Sequence, residues 1–327
     1  MTYQFTWEPT PPERTGAEMR RVAVFAAGVG SVFICSTLAQ LAVSLVCSLL
    51  APALLKQMWF QLLASTFCLY VFGMLPGWLI LRFLQPEPID RRRLGGASML
   101  AVISVGVVLL LIGSFAGNFV NFLIEALTGK AQDNPVQTIA DNVPLGVMAL
   151  CTVILAPIAE ELFFRRVLCD RLRRYGDIPA ILLSAVIFGL AHGNFSQFFY
   201  AFLLGLVFGA VYCMTGRLRY GIALHMGINF FGSVWSTLLL RRTGAEITVE
   251  KLLGDPIALG MYLGTLAVYG LALLAFIPSL IRLIRRFRPR RWKSPYSGAQ
   301  WAKIILLNPA VWLACFVFAG MFWMGMQ

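Results

Sequence analysis

Residues 155–166 read LAPIAEELFFRR, and this short stretch decides what kind of protein the chain is. An adjacent acid pair, Glu160 and Glu161, stands in apolar sequence, and Arg165 follows the second acid by one helical turn. Working outward, the chain has only 2 histidines, and both lie downstream. His192 sits in IFGLAHGN (187–194) and His225 in GIALHMGINF (221–230). Ionisable groups at membrane depth cost roughly 2.5–3.5 kcal/mol each on insertion scales, and they are usually functional.

The surroundings are those of a membrane. The chain is 59% apolar and 13% charged, and several windows of about 20 residues carry no charge, enough to cross about 30 Å of hydrocarbon. The fold class is therefore all-α, a polytopic membrane helix bundle and an integral membrane protein. A net charge of +12 would suggest nucleic acid in a soluble protein. Here its placement beside apolar spans points to anionic lipid headgroups instead, and no nucleic-acid partner is expected. The 7 cysteines are odd in number, form no CxxC pair and lie in or beside apolar runs, so they read as small buried residues. The first 20 or so residues are polar, and the apolar run after them is too long for a signal h-region, so no cleavable leader is expected.

Hydropathy predicts about nine spans, near 22–50, 57–84, 97–125, 145–168, 178–193, 196–215, 221–240, 257–281 and 304–325. With the N-terminus in the cytoplasm, 22 of the 27 Lys and Arg fall on cytoplasmic segments, and the C-terminus falls outside. The other five are Lys56, Lys130, Arg241, Arg242 and Lys251. Three regions follow: 1–144 with three spans, a core over 145–240, and 241–327 with an outer loop, a basic cytoplasmic loop and two last spans. Pro76 is expected to kink the second span. Residues 130–146 read as an outer loop, and the basic stretch 281–303, with Trp292 and Trp301, reads as a lipid-binding face. No internal repeat supports an inverted-repeat transporter.

Spacing brings the polar groups together. Glu161 and Arg165 form an i,i+4 pair on one helix face, a structural role. Glu160 points about 100° away and is left for chemistry. A turn at Tyr175–Asp177 places Glu160 and His192 each 16 residues from Gly176, hence at one level about 24 Å from the turn. His225 lies roughly 10 Å past the Arg217–Tyr220 turn by the same rise, and the levels agree if the Arg165–Arg174 end projects into the cytoplasm. Asn229 is one turn beyond His225 on the same face, and Phe188 lines that of His192. Asn194 and Ser196 read as caps of the next helix.

A buried carboxylate that takes a proton from water, with imidazole and amide donors for an oxyanion, suits peptide hydrolysis. Glu160, His192 and His225 are also an acceptable Zn2+ set with an open position. Either histidine alone is ordinarily a helix–helix hydrogen-bonder, and an acid pair alone a proton relay. The joint pattern is what points to a site.

These residues resemble three motifs of the CPBP intramembrane proteases, the family of type II CAAX prenyl endopeptidases and bacterial Abi proteins. The motifs are Glu160-Glu161-x-x-x-Arg165, Phe188-x-x-x-His192 and His225-x-x-x-Asn229. The resemblance covers about 145–240, with no departure at the motif positions. It implies a helical bundle with a conical cavity open to the cytoplasm, water activated by Glu160 with His192, and an oxyanion site of His225 and Asn229. It also implies a peptide or membrane-protein substrate, and in bacterial relatives links to bacteriocin immunity. A bacterial plasma membrane is the expected location. No HExxH, GxSG or GxGD is present, which argues against other intramembrane proteases. Two further classes stay open: a non-catalytic immunity or scaffold protein on the same fold, and a proton-coupled transporter.

Overall fold

Each of the nine apolar segments is helical in the computed structural model, which describes residues 12–130, 135–244, 247–291 and 294–325. No strand occurs among the described residues. The helices are α1 (Pro12–Leu50), α2 (Met58–Leu81), α3 (Gly96–Thr128), α4 (Pro135–Asn142), α5 (Leu145–Tyr175) and α6 (Asp177–Leu190). They continue with α7 (Phe195–Thr215), α8 (Leu218–Thr243), α9 (Val249–Gly254), α10 (Pro256–Arg286), α11 (Gly298–Leu306) and α12 (Pro309–Gly325).

Seven of these are long and apolar enough to cross a membrane, and eight if α11 and α12, bent by 66° at their junction, count as one span. The expected count of nine is not reached, because α6 has only 14 residues. At 1.5 Å per residue it reaches about 21 Å, short of the roughly 30 Å a bilayer demands. Hydropathy reads composition, and α6 has the composition of a span without its length. The region 130–146, expected as a loop, contains α4. Trp292 lies outside the described residues.

Two prolines leave a physical trace. Pro76 and Pro157 have no N–H for the carbonyl four residues back. Immediately before each, the helix widens into π-type turns, over Cys68–Met74 in α2 and Ala149–Leu155 in α5. The wider turn takes up the missing bond, so the expected kink at Pro76 is a change of helical pitch. Two more π stretches, Leu162–Cys169 in α5 and Phe230–Trp235 in α8, complete a set confined to α2, α5 and α8. Such turns are frequent at functional sites.

The packing centre is α7, which lies against α3 on one side and α6 on the other. Gly113 and Gly117 of α3 allow the closest approach. A Cβ on Gly113 would sit 2.4 Å from the Tyr200 Cα, and one on Gly117 would sit 2.5 Å from the Phe195 carbonyl. Small residues four apart let membrane helices meet backbone to backbone. One core cluster joins α1, α2, α5, α6 and α12 through Val32, Leu81, Phe164, Leu168, Phe188 and Phe318. Large apolar side chains such as Leu45, Phe115 and Leu274 are exposed on the outside, as lipid-facing residues are. This is an integral membrane protein.

Candidate active site

The site is built on α5, α6 and α8, with a contribution from α2. Glu161 is fully buried and holds Arg165 through Nε–Oε2 at 3.1 Å and Nη2–Oε1 at 3.4 Å. Arg165 is fully buried too. Its Nη1 donates to Ser184 Oγ at 2.9 Å, and Ser184 donates on to the Phe164 carbonyl at 2.9 Å. The guanidinium also lies over the rings of Phe188 and Phe208, 5.1 and 5.8 Å from their centroids. A buried ion pair survives only when its remaining donors are satisfied, and here they are.

The pair does more than hold two helices. Glu161 Oε1 lies 3.4 Å from His225 Nδ1, a close approach without hydrogen-bond alignment. On the other side, His225 Nε2 is 3.8 Å from Glu160 Oε2. The ring stacks on Phe208 at 5.1 Å and meets Phe188 edge-on at 5.8 Å. His225 is thus fixed between the two acids. Gly221, one turn before it, leaves room for this: a Cβ there would meet Glu161 Oε2 at 2.6 Å.

Glu160 points the other way from Arg165, into a cavity of about 550 Å3. Its Oε1 accepts a hydrogen bond from Tyr70 of α2 at 3.1 Å. His192 stands at the end of α6, where its Nδ1 is 2.9 Å from the Phe188 carbonyl. A carbonyl only accepts, so Nδ1 carries the proton. The neutral ring then offers an Nε2 lone pair, which has no protein partner among the described residues. Asn229 gives one amide hydrogen to the Thr152 carbonyl at 2.7 Å and keeps the other. Glu160, His192, His225, Asn229 and Phe188 all line the one cavity, while Glu161 and Arg165 lie behind His225. Asn194 caps α7 by accepting from the Gln197 N–H at 3.0 Å. Ser196 does not cap; it accepts from Asn121 at 2.7 Å.

Sequence reasoning misses Tyr70, which is 90 residues from its partner in an apolar run that carries no motif. It also misses Thr152 and the steric need for Gly221. A different correction concerns depth. The Arg165–Arg174 end does not simply project: Arg165, Asp170 and Arg173 are buried, and Arg173 pairs with Asp177 at 2.8 Å. The cavity walls run from Glu160 past Thr152 and Ser233 to Leu62, Asn118 and Ile139. Among the described residues no three His, Cys, Asp or Glu side chains gather closely enough to hold a metal ion.

With this geometry, residues 142–231 match the family described as type II CAAX prenyl endopeptidase Rce1-like. The match covers less than a third of the chain. Three bacterial proteins are similar to parts of this chain. The putative membrane peptidase YdiL of Bacillus subtilis is 26% identical over 159 residues, 47% of this chain and 64% of that protein. The membrane-embedded CAAX protease MroQ of Staphylococcus aureus is 29% identical over 130 residues, 36% of this chain and 52% of that one. The UPF0177 protein YxdF of Lactococcus lactis is 27% identical over 124 residues, 34% and 67%. The chain thus spans between about half and two thirds of the length of these relatives. No solved structure matches it. The matched residues include every motif position named above.

Proposed function

We propose that this protein is an intramembrane endopeptidase whose water nucleophile is activated by Glu160. The observation that carries this reading is one carboxylate facing an internal cavity, oriented by Tyr70 and flanked by His225 and His192. The Rce1-like segment supports it.

In this reading, water binds between the Glu160 carboxylate and the lone pair of His192 Nε2. Glu160 takes one proton as the water oxygen attacks the peptide carbonyl carbon. The carbonyl oxygen becomes an oxyanion and receives hydrogen bonds from His225, through a protonated Nε2, and from the free amide hydrogen of Asn229. The C–N bond then breaks, and Glu160 returns its proton to the leaving nitrogen. Glu161, held by Arg165, is a positioning residue for His225. No step runs through a metal. The setting is a bacterial plasma membrane, with the basic loops against anionic headgroups.

The test is cleavage of a fluorogenic peptide library by the purified protein in detergent, compared with Glu160→Gln, each with and without a chelator. Cleavage by the wild type that chelation leaves intact and Glu160→Gln removes is the expected result. Loss on chelation would hand the chemistry to zinc. Absence of cleavage by the wild type would favour the non-catalytic reading. Tyr70→Phe gives a second check, since it keeps the ring and removes the donor to Glu160. A hydrogen bond to a charged group is worth about 1.5–3 kcal/mol, so kcat should fall roughly ten- to hundredfold with KM little changed. A fall confined to KM would assign Tyr70 to substrate binding instead.

A further inference from the structure

We propose that the protein holds one anionic phospholipid, its phosphate in a cup of guanidinium groups and its acyl chains along α10. The cup shares no lining residue with the cavity of Glu160, and the proposal does not depend on the peptidase reading.

Three observations carry it. First, the cup gathers more positive charge than the protein balances. A cleft of about 370 Å3 is lined by Arg92, Arg93, Arg173, Arg286, Arg288 and Arg290, with only Asp90 and Asp177 as carboxylates. Arg92 pairs with Asp90 at 3.2 Å and Arg173 with Asp177 at 2.8 Å. Arg290 pairs at 2.8 Å with Glu87, which lies outside the lining. Asp177 has nothing left to offer, since its second oxygen accepts the Arg290 N–H at 2.7 Å. Arg93, Arg286 and Arg288 pair with no carboxylate among the described residues. Arg286 reaches only neutral oxygens, Ser98 Oγ at 2.9 Å and the Arg93 carbonyl at 3.4 Å. Like charges converging on one cleft repel one another and attract an anion. A phosphate fits best, because guanidinium forks bind it through paired hydrogen bonds.

Second, the cup is already built. Arg173 is buried, and its Nη1 donates to the Pro88 carbonyl at 2.9 Å. The Arg92 N–H donates to the Thr215 carbonyl at 2.8 Å, and the Asp177 N–H to the Arg290 carbonyl at 3.0 Å. These bonds fix the basic segments before α3 and after α10 against the ends of α5, α6 and α7. A preformed site loses little affinity to ordering.

Third, the cup lies where spans end and continues into an apolar track. Thr215 ends α7, Gly96 begins α3 and Arg286 ends α10, which is the level of headgroups. A groove of about 680 Å3, lined by Ser98 of α3 and by Pro278, Ile281, Arg282, Arg285 and Arg286 of α10, shares Arg286 with the cup. From Arg286 to Pro278 it follows α10 for about 12 Å. Ile277, Ile281 and Ile284 are exposed along the same helix. A lipid fills both cup and track, whereas a free phosphate compound would leave the track bare.

The experiment follows the purified full chain in a neutral detergent by thermal unfolding and by native mass spectrometry. Dioleoyl phosphatidylglycerol, dioleoyl phosphatidylcholine and inorganic pyrophosphate are the added probes. We expect one phosphatidylglycerol retained per chain and Tm raised by about 3 °C or more, with little response to the other two. Arg93→Gln/Arg288→Gln removes two guanidinium groups that bond no other segment, so the variant should fold as well as wild type without lipid. It should bind phosphatidylglycerol at least tenfold more weakly. Arg20→Gln/Arg82→Gln loses the same charge from exposed positions outside the cup and should bind as wild type does. Equal weakening in both variants, or in neither, overturns the site, since attraction to any basic surface would then explain the binding. An equal response to phosphatidylcholine overturns it as well. A pyrophosphate shift matching that of phosphatidylglycerol overturns the lipid assignment in favour of a free phosphate compound. If Arg93→Gln/Arg288→Gln fails to fold, Arg286→Gln gives the same reading from the residue common to cup and groove.

Discussion

Glu160→Gln abolishes peptide cleavage while leaving the protein folded. The expected fall in kcat is about 10³-fold, within the range for removal of a positioned general base. Glutamine has nearly the same shape, and its carbonyl oxygen still accepts from the Tyr70 hydroxyl that now donates to Oε1 at 3.1 Å. What it lacks is the capacity to take a proton from water and return it to the leaving nitrogen. Glu160 is partly exposed to the cavity and takes no part in the Arg165 ion pair, so its neutralisation leaves no buried charge alone. Thermal unfolding in detergent should therefore match wild type within about 0.5 kcal/mol, as for a substitution that disturbs no packed feature. A variant that kept activity would end the glutamate mechanism. One that lost activity together with its fold would say nothing of the chemistry, which is why both measurements are needed.

The largest effect on stability is expected at the other acid's partner. Arg165→Met leaves Glu161, fully buried, without its guanidinium partner and with only the His225 ring at 3.4 Å. Removing one member of a buried pair costs about 3–5 kcal/mol, because the remaining charge keeps its desolvation penalty. Ser184 loses its donor and the Phe188 and Phe208 rings lose their cation in the same substitution. The double variant Glu161→Gln/Arg165→Met should recover much of that loss, since no lone charge remains. Denaturant unfolding of the detergent-solubilised protein reads both. If the single variant were as stable as wild type, the ion pair would not be the support of α5 described above.

Much of this was legible in the sequence, and the limits have physical causes. The Glu161–Arg165 pair was readable because i,i+4 spacing is a property of one helix. The turn at Gly176 was readable from its local sequence, and the structure has it between α5 and α6. Tyr70 was not, since a contact across 90 residues is set by which helices become neighbours. Which side of the acid's level is packed was not legible either. Counting residues from a turn gives a level along a helix, but which side of that level is packed depends on side chains such as Phe208 and Leu168 from different helices. The shortness of α6 was visible as a count, yet composition alone made it read as a full span.

That short helix has a consequence for the lipid around it. Ile178, Leu182, Leu183 and Val186 are exposed along α6, so one side of the molecule offers acyl chains only about 21 Å of apolar helix. A bilayer meets such hydrophobic mismatch by thinning. The membrane beside His192 is then dimpled, with headgroups and water drawn toward the depth of the reacting bond. The protein would sort toward thinner membrane, and its turnover would depend on acyl-chain length, which a series of reconstitutions in lipids of stepped length would read directly.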